Sequence, residues 1–173
     1  MKSVLISIQP KWCELIANGK KTVEVRKTKP KLDTPFKVYI YCTKGETIYL
    51  PRDIFGNNAL NGKVIGEFVC DKIFDICIEM SKPDDLQGYT FPCTGLTDKE
   101  VMQYLGNGRT GYGWHISDLL FYDKPKELSK FWKCNYPFDC GVCDYFDGFT
   151  MSCEKPKRPP QSWCYVERSD NNA

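Results

Sequence analysis

Alternating apolar and polar positions, interrupted by proline and glycine, divide this chain into many short strands and a few short helices. Residues 3 to 9 form a β-like run. Pro10 suits the first turn of a helix whose apolar face carries Trp12, Leu15 and Ile16. Asn18-Gly19 ends that helix where a left-handed cap is expected. The next residues alternate, so Val23 and Val25 can face a core while Thr22, Glu24 and Arg26 line the opposite face. A basic, proline-bearing loop over residues 27–35 leads to a strand from Phe36 to Cys42, with Tyr39 and Tyr41 on one face and Val38 and Ile40 on the other. Residues 51–62 read as a loop or short helix ending in the Asn61-Gly62 turn. Residues 63–78 are the longest β-like stretch, two strands or one bent strand, with Gly66 and Asp71-Lys72 as candidate bulge or turn points.

Residues 81–96 read mostly as loop. Thr97-Asp98-Lys99-Glu100 then matches a capping box, opening a helix whose stripe is Val101, Met102 and Leu105. Gly108, Gly111 and Gly113 surround Arg109 and Tyr112, which predicts an exposed, flexible segment before a strand from Trp114 to Tyr122. Pro125 can start another short helix carrying Leu128, Phe131 and Trp132. A cysteine-rich loop and a basic proline stretch, Lys155 to Pro160, precede a final strand around Trp163 to Val166. Many short strands with few helices predict the α+β class, as a small β-barrel with flanking short helices and a Cys-rich loop insertion.

Composition narrows this picture. The 173 residues, 42% hydrophobic and 14% aromatic, suit one globular domain over 1–173, with the Cys-rich insertion at about 134–158 before the closing strand. The net charge of +2 hides an asymmetry: residues 1–44 hold ten Lys/Arg against three Asp/Glu, a net of +7, leaving −5 for the remainder. Such a basic N-terminal part favours an anionic partner, nucleic acid first. The apolar start Val4 to Ile8 is too short for a signal-peptide core, and no run is long enough to cross a bilayer. The ten cysteines are therefore expected reduced, in a cytoplasmic protein with no membrane partner. Cys13, Cys42, Cys70, Cys77 and Cys93 sit in apolar stretches and read as core residues. Cys134, Cys140, Cys143 and Cys153 form a C-x5-C-x2-C-x9-C array suited to a structural zinc, with Cys164 as an alternative end ligand; free thiols are the competing reading.

The segment Gly19 to Arg26 carries the densest chemistry. Lys21 is a point charge for phosphate or, if desolvated beside Arg26, a general base; the adjacent Glu24 favours the charged form and hence binding. Arg26 offers a planar fork for phosphate or for stacking on a base, and Glu24 can orient it or accept from a nucleobase edge. A purely structural ion network is the alternative. Trp12, Trp114, Tyr112 and Trp163 are either stacking surfaces or core, and Arg109 could close over a ligand. His115 is the only histidine, which excludes sites needing two; alternation fits a buried, hydrogen-bonded imidazole. No phosphate loop, dinucleotide fingerprint or serine elbow is present, and no organic cofactor is implied.

Gly19, Lys21, Glu24 and Arg26 stand at the spacing G-x-K-x-x-E-x-R, which resembles the signature of the ASCH family, a branch of the PUA-like superfold. Ser7 to Trp12 resembles the family's lead-in, Val64 to Phe68 its central strand and Tyr112 to Ile116 a later one. The resemblance covers residues 3–123 and the closing strand near 163–167. It implies a small barrel with a cleft lined by the motif residues Lys21, Glu24 and Arg26, and binding of RNA, which is common among PUA-like folds. With the stacking and closing candidates Trp12, Tyr112 and Arg109 read from the residues themselves, the expected ligand is RNA or a modified nucleoside or nucleotide. One branch hydrolyses N4-acetylcytidine with a lysine, a threonine and a glutamate. As such an amidohydrolase the chain would use Lys21 and Glu24, although Glu24 stands where that branch has threonine, with Glu67 or Glu100 as a third group. A protein-interaction module built on the zinc-like loop and the basic proline stretch is a further alternative.

Overall fold

The structure, a computed structural model, describes residues 2–45, 60–77, 92–106, 110–134 and 153–168. The chain runs through β1 (Ser3–Ile8), α1 (Pro10–Ala17), β2 (Val23–Arg26), β3 (Phe36–Cys42), β4 (Lys63–Cys70) and β5 (Ile73–Cys77). It continues through α2 (Asp98–Leu105), β6 (Thr110–His115), β7 (Ser117–Lys126), β8 (Phe131–Cys134), β9 (Cys153–Glu154) and β10 (Trp163–Arg168). Seven strands form one sheet in the order β7-β4-β3-β1-β10-β8-β9, and three form a second, β2-β6-β5. At the centre of the large sheet, β1 pairs in parallel with β3 and antiparallel with β10. It is buried along its whole length, as a strand covered on both faces must be.

Two open sheets stand where a barrel was expected. Among the described residues no ladder joins β7 to β9 or either sheet to the other. Closure needs a continuous staggered ladder, and the four-residue β2 and two-residue β9 are too short to supply one. Other corrections share a cause: alternation marks strands but not their partners. The stretch from Trp114 to Tyr122 is two strands, because the chain leaves the small sheet after His115 and enters the large one at Ser117. Pro125 lies within β7 rather than opening a helix; β7 is an edge strand, where a missing N–H is tolerated. Leu128–Lys130 is a single 3-10 turn, and Phe131 and Trp132 belong to β8. Tyr112 is not on a mobile loop but in β6, the central strand of the small sheet. Gly113 is needed there for contact, since a Cβ would sit 2.4 Å from the Phe74 ring on β5.

The main core lies between the large sheet, α1 and β6, and includes Val4, Ile6, Ile8, Ile16, Val38, Ile40, Phe68 and Trp114. Leu5, Tyr39, Tyr41, Val64, Phe131 and Val166 pack on the sheet's other face, and Val25 and Ile76 join Val101 and Leu105 of α2. Cys13, Cys42 and Cys70 are fully buried and Cys93 partly so. Burial pushes the Cys70 thiol up to about 12. The Cys77 side chain, Arg109, Cys140 and Cys143 lie outside what the structure describes. Cys134 and Cys153, the ends of the cysteine array, are backbone partners across β8 and β9. Among the described residues no cluster of three or more metal-ligating side chains occurs, and no helix is long and apolar enough to cross a membrane.

Candidate functional site

The site begins at the end of α1. Gly19, at φ 67°, turns the chain off the helix while its amide donates to Ile16 O at 3.0 Å. The Lys20 and Lys21 amides both donate to Leu15 O, at 2.9 and 3.0 Å. Lys21 is thereby held at the helix end, directly before β2. On β2, Glu24 is paired in register with Trp114 and Arg26 with Tyr112. The capping box forms as expected: the Thr97 hydroxyl accepts from the Glu100 amide and the Glu100 carboxylate from the Thr97 amide. It starts α2 so that Glu100, Gln103 and Tyr104 reach the same depression as Lys21.

The polar face of β2 is not solvated. Lys21, Glu24 and Arg26 are only 3%, 6% and 7% exposed, with Glu24 between the two cations. One Glu24 oxygen lies 3.1 Å from Lys21 Nζ and the other 2.7 Å from Arg26 Nη2. Lys21 Nζ also donates to Val23 O at 2.9 Å and Thr94 O at 2.6 Å, so each of its three protons faces an acceptor. Arg26 is less completely satisfied. Its Nη2 donates to Ser7 O at 2.7 Å, its Nη1 reaches Ser162 Oγ only at 3.4 Å, and its buried Nε has no partner among the described residues.

Above the triad lies a cleft of about 570 Å³. Its walls come from Lys11 and Trp12 of α1, Glu100, Gln103 and Tyr104 of α2, Ser7 and Gln9, and Gln161 and Ser162 ahead of β10. Lys11 Nζ lies 4.2 Å from the centre of the Trp12 ring and Lys27 Nζ 5.3 Å from that of Tyr104. Burial raises the Tyr104 hydroxyl above its ordinary range, with Arg26 opposing and Glu24 adding to the shift. The Thr97 amide and hydroxyl, and then Lys11, hold the Glu100 carboxyl low.

Of the residues singled out in the sequence, Lys21, Glu24, Arg26, Trp12 and Glu100 come together here. Tyr112 does not line the cleft; it packs half-buried on the main core with Lys29 Nζ 4.9 Å from its ring centre. Trp114 is wholly buried and Trp163 rests against it. Glu67 lies elsewhere, bonded to Lys37 and Tyr122 across β3, β4 and β7. His115 is not the buried imidazole expected: its side chain is 41% exposed, with Nδ1 2.7 Å from Asp71 Oδ1. Gln103, Tyr104, Gln161 and Ser162 were missed. Tyr104 had a signal, an aromatic off the apolar stripe of α2. Gln161 and Ser162 had none, because their place depends on the Ser7 amide bonding Ser162 O at 2.9 Å, far along the chain.

The family model described as the ASCH domain matches residues 6–90, a span that holds the Gly19–Arg26 motif, the end of β1 and all of β2 to β5. The chain carries an ASCH domain. Its overall structure agrees with this and with the PUA-like fold. The crystal structure of ASCH from Zymomonas mobilis superposes with a TM-score of 0.56 at 18% identity, covering 95% of this chain and 87% of that one. Structures of a tyrosine-to-phenylalanine and a serine-to-alanine variant of the Zymomonas mobilis protein give TM-scores of 0.56 and 0.58. Both are 17% identical, covering 98% and 96% of this chain and 93% and 89% of theirs. At such identity the likeness is one of fold. No curated protein matches in sequence. The cleft of this ASCH-domain protein is built partly beyond the matched span, since α2 and Gln161–Ser162 follow residue 90.

Proposed function

We propose that the cleft binds single-stranded RNA or a nucleotide-like ligand, with Arg26 as the direct polar contact. Lys21 and Glu24 form the frame that holds Arg26, and Trp12 and Tyr104 supply stacking surfaces. The observation that most supports this reading is how hydrogen bonds divide within the triad. Lys21 is saturated, whereas Arg26 Nη1 has only a long contact to Ser162, the Tyr104 hydroxyl is a further partner of the guanidinium, and Nε has none among the described residues. An arginine whose Nη1 is only weakly engaged at the base of a cleft suits a phosphate or a base carbonyl. Gln9, Gln103 and Gln161 add side-chain amides able to pair with base edges. Lys11 and Lys27, exposed beside aromatic rings, attract an anionic chain.

Hydrolysis of N4-acylated cytidine fits this geometry less well. A general base needs a lone pair, and every Lys21 proton is already engaged. Incubation with N4-acetylcytidine is accordingly expected to release no cytidine. The binding reading is tested by fluorescence anisotropy with a labelled single-stranded RNA decamer. Tyr104, 38% exposed, can be truncated without a core cavity. Tyr104→Ala should weaken binding about 5- to 100-fold, the effect of losing one stacked base, with an unchanged melting temperature. Equal affinity in the variant, or no salt-dependent binding by the wild type at low salt, would refute the reading.

A further inference from the structure

A second depression, of about 660 Å³, opens beside the cleft, and Gln161 lines both. Its charged residues are Lys133, Lys157 and Arg158 against the single carboxylate of Glu154, which lies 3.8 Å from Lys133. Lys157 and Arg158 are exposed, and among the described residues neither has an ion-pair partner. The ridge that carries them holds Pro156, Pro159 and Pro160. It is tied to β1 by the Ser7 hydroxyl donating to Pro160 O at 2.6 Å and by the Ser7 amide donating to Ser162 O. Prolines and anchoring bonds leave this cationic ridge little conformational freedom to lose on binding. A nucleotide-sized cleft opening onto a preorganised basic track is the layout of a single-strand site, in which one nucleotide is held and its neighbours' phosphates are neutralised.

We propose that this groove binds the phosphate backbone of the same nucleic-acid strand whose nucleotide occupies the cleft, with Lys157 and Arg158 as the principal phosphate contacts. The inference rests on the cleft reading and extends it: the ligand is a strand several nucleotides long, not a free nucleotide. The basic proline stretch thereby acquires a role that neither the motif nor the cleft required. An acidic peptide is the competing occupant, but it would leave unexplained why the basic track runs into a pocket walled by Trp12 and Tyr104.

The test compares wild type, the groove variant Lys157→Ala/Arg158→Ala and the cleft variant Tyr104→Ala, using cytidine monophosphate and a mixed-sequence RNA decamer as probes. The groove variant should bind the decamer about tenfold or more weakly, with a salt slope smaller by about 1.4, two contacts at the single-strand value. Its affinity for the mononucleotide should stay within about a factor of two of wild type. Tyr104→Ala should weaken both probes. Unchanged decamer affinity in the groove variant would overturn the groove while leaving the cleft reading intact. Loss of decamer binding in the groove variant alone, with Tyr104→Ala like wild type, would refute the shared strand. Competition by polyglutamate as effective as by unlabelled decamer would assign the groove to acidic peptides. Binding of the mononucleotide but not of the decamer by wild type would overturn the shared strand and leave the cleft reading, and no binding of either probe would end both.

Discussion

Glu24→Ala should lower folding stability by about 3–5 kcal/mol, the usual result of removing one partner from a buried ion pair and stranding the other. For a chain of this size that is a drop in melting temperature of about 6–20 °C. The effect is large because Glu24 serves two cations at once, and all three side chains are more than nine-tenths buried. Without the carboxylate, Lys21 keeps two carbonyl acceptors and Arg26 one, yet two adjacent positive charges share a site without a counter-ion. Replacing the whole network, as Lys21→Met/Glu24→Leu/Arg26→Met, should restore stability to within about 2 kcal/mol of wild type, because well-packed apolar groups often equal a buried ion network. On the proposed reading it should not restore RNA binding. Thermal melting of both variants, with anisotropy on the triple variant, separates holding the fold from recognising a ligand. A melting temperature for Glu24→Ala within 2 °C of wild type would show that the triad is far better hydrated than its burial indicates.

A comparable loss is expected from Trp114→Ala, about 3–5 kcal/mol for truncating a fully buried tryptophan. Trp114 is wholly inaccessible and packs its ring against Phe36 and Trp163, each with centroids 5.9 Å away. It joins the small sheet to the main core, directly opposite Glu24 in the ladder. A cavity there removes support from beneath the triad, so RNA affinity should fall together with stability in denaturant titrations. Trp12→Ala makes the contrast, since Trp12 is only partly buried and lines the cleft. It should weaken binding with a smaller stability loss than Trp114→Ala. Equal stability losses would mean that Trp12 is as much a core residue as Trp114.

Much of the site was legible locally. The cap at Gly19, the strand after it and the box at Thr97 are each set by a few neighbouring residues and appear as expected. The position of Tyr112 was misjudged for an equally local reason. Flanking glycines suggest mobility in isolation, but in β6 they admit Phe74 from β5 and the Leu105 side chain from α2. His115 was misread because alternation reports which face of a strand a residue occupies, not whether another element covers that face.

The amino-acid sequence by itself determined the order and kind of most of the described elements, the basic N-terminal quarter and the eight-residue motif with its family. These depend on backbone preferences, capping chemistry and charge counts within short windows. Only the tertiary structure decided that the sheets stay open, that the motif's charged face is buried, and that Lys21 is saturated while Arg26 is not. Those outcomes depend on partners such as Ser7, Thr94, Trp114 and Ser162, up to 136 residues from the motif. Burial and hydrogen-bond satisfaction are set by what packs against a side chain, and no local pattern records that.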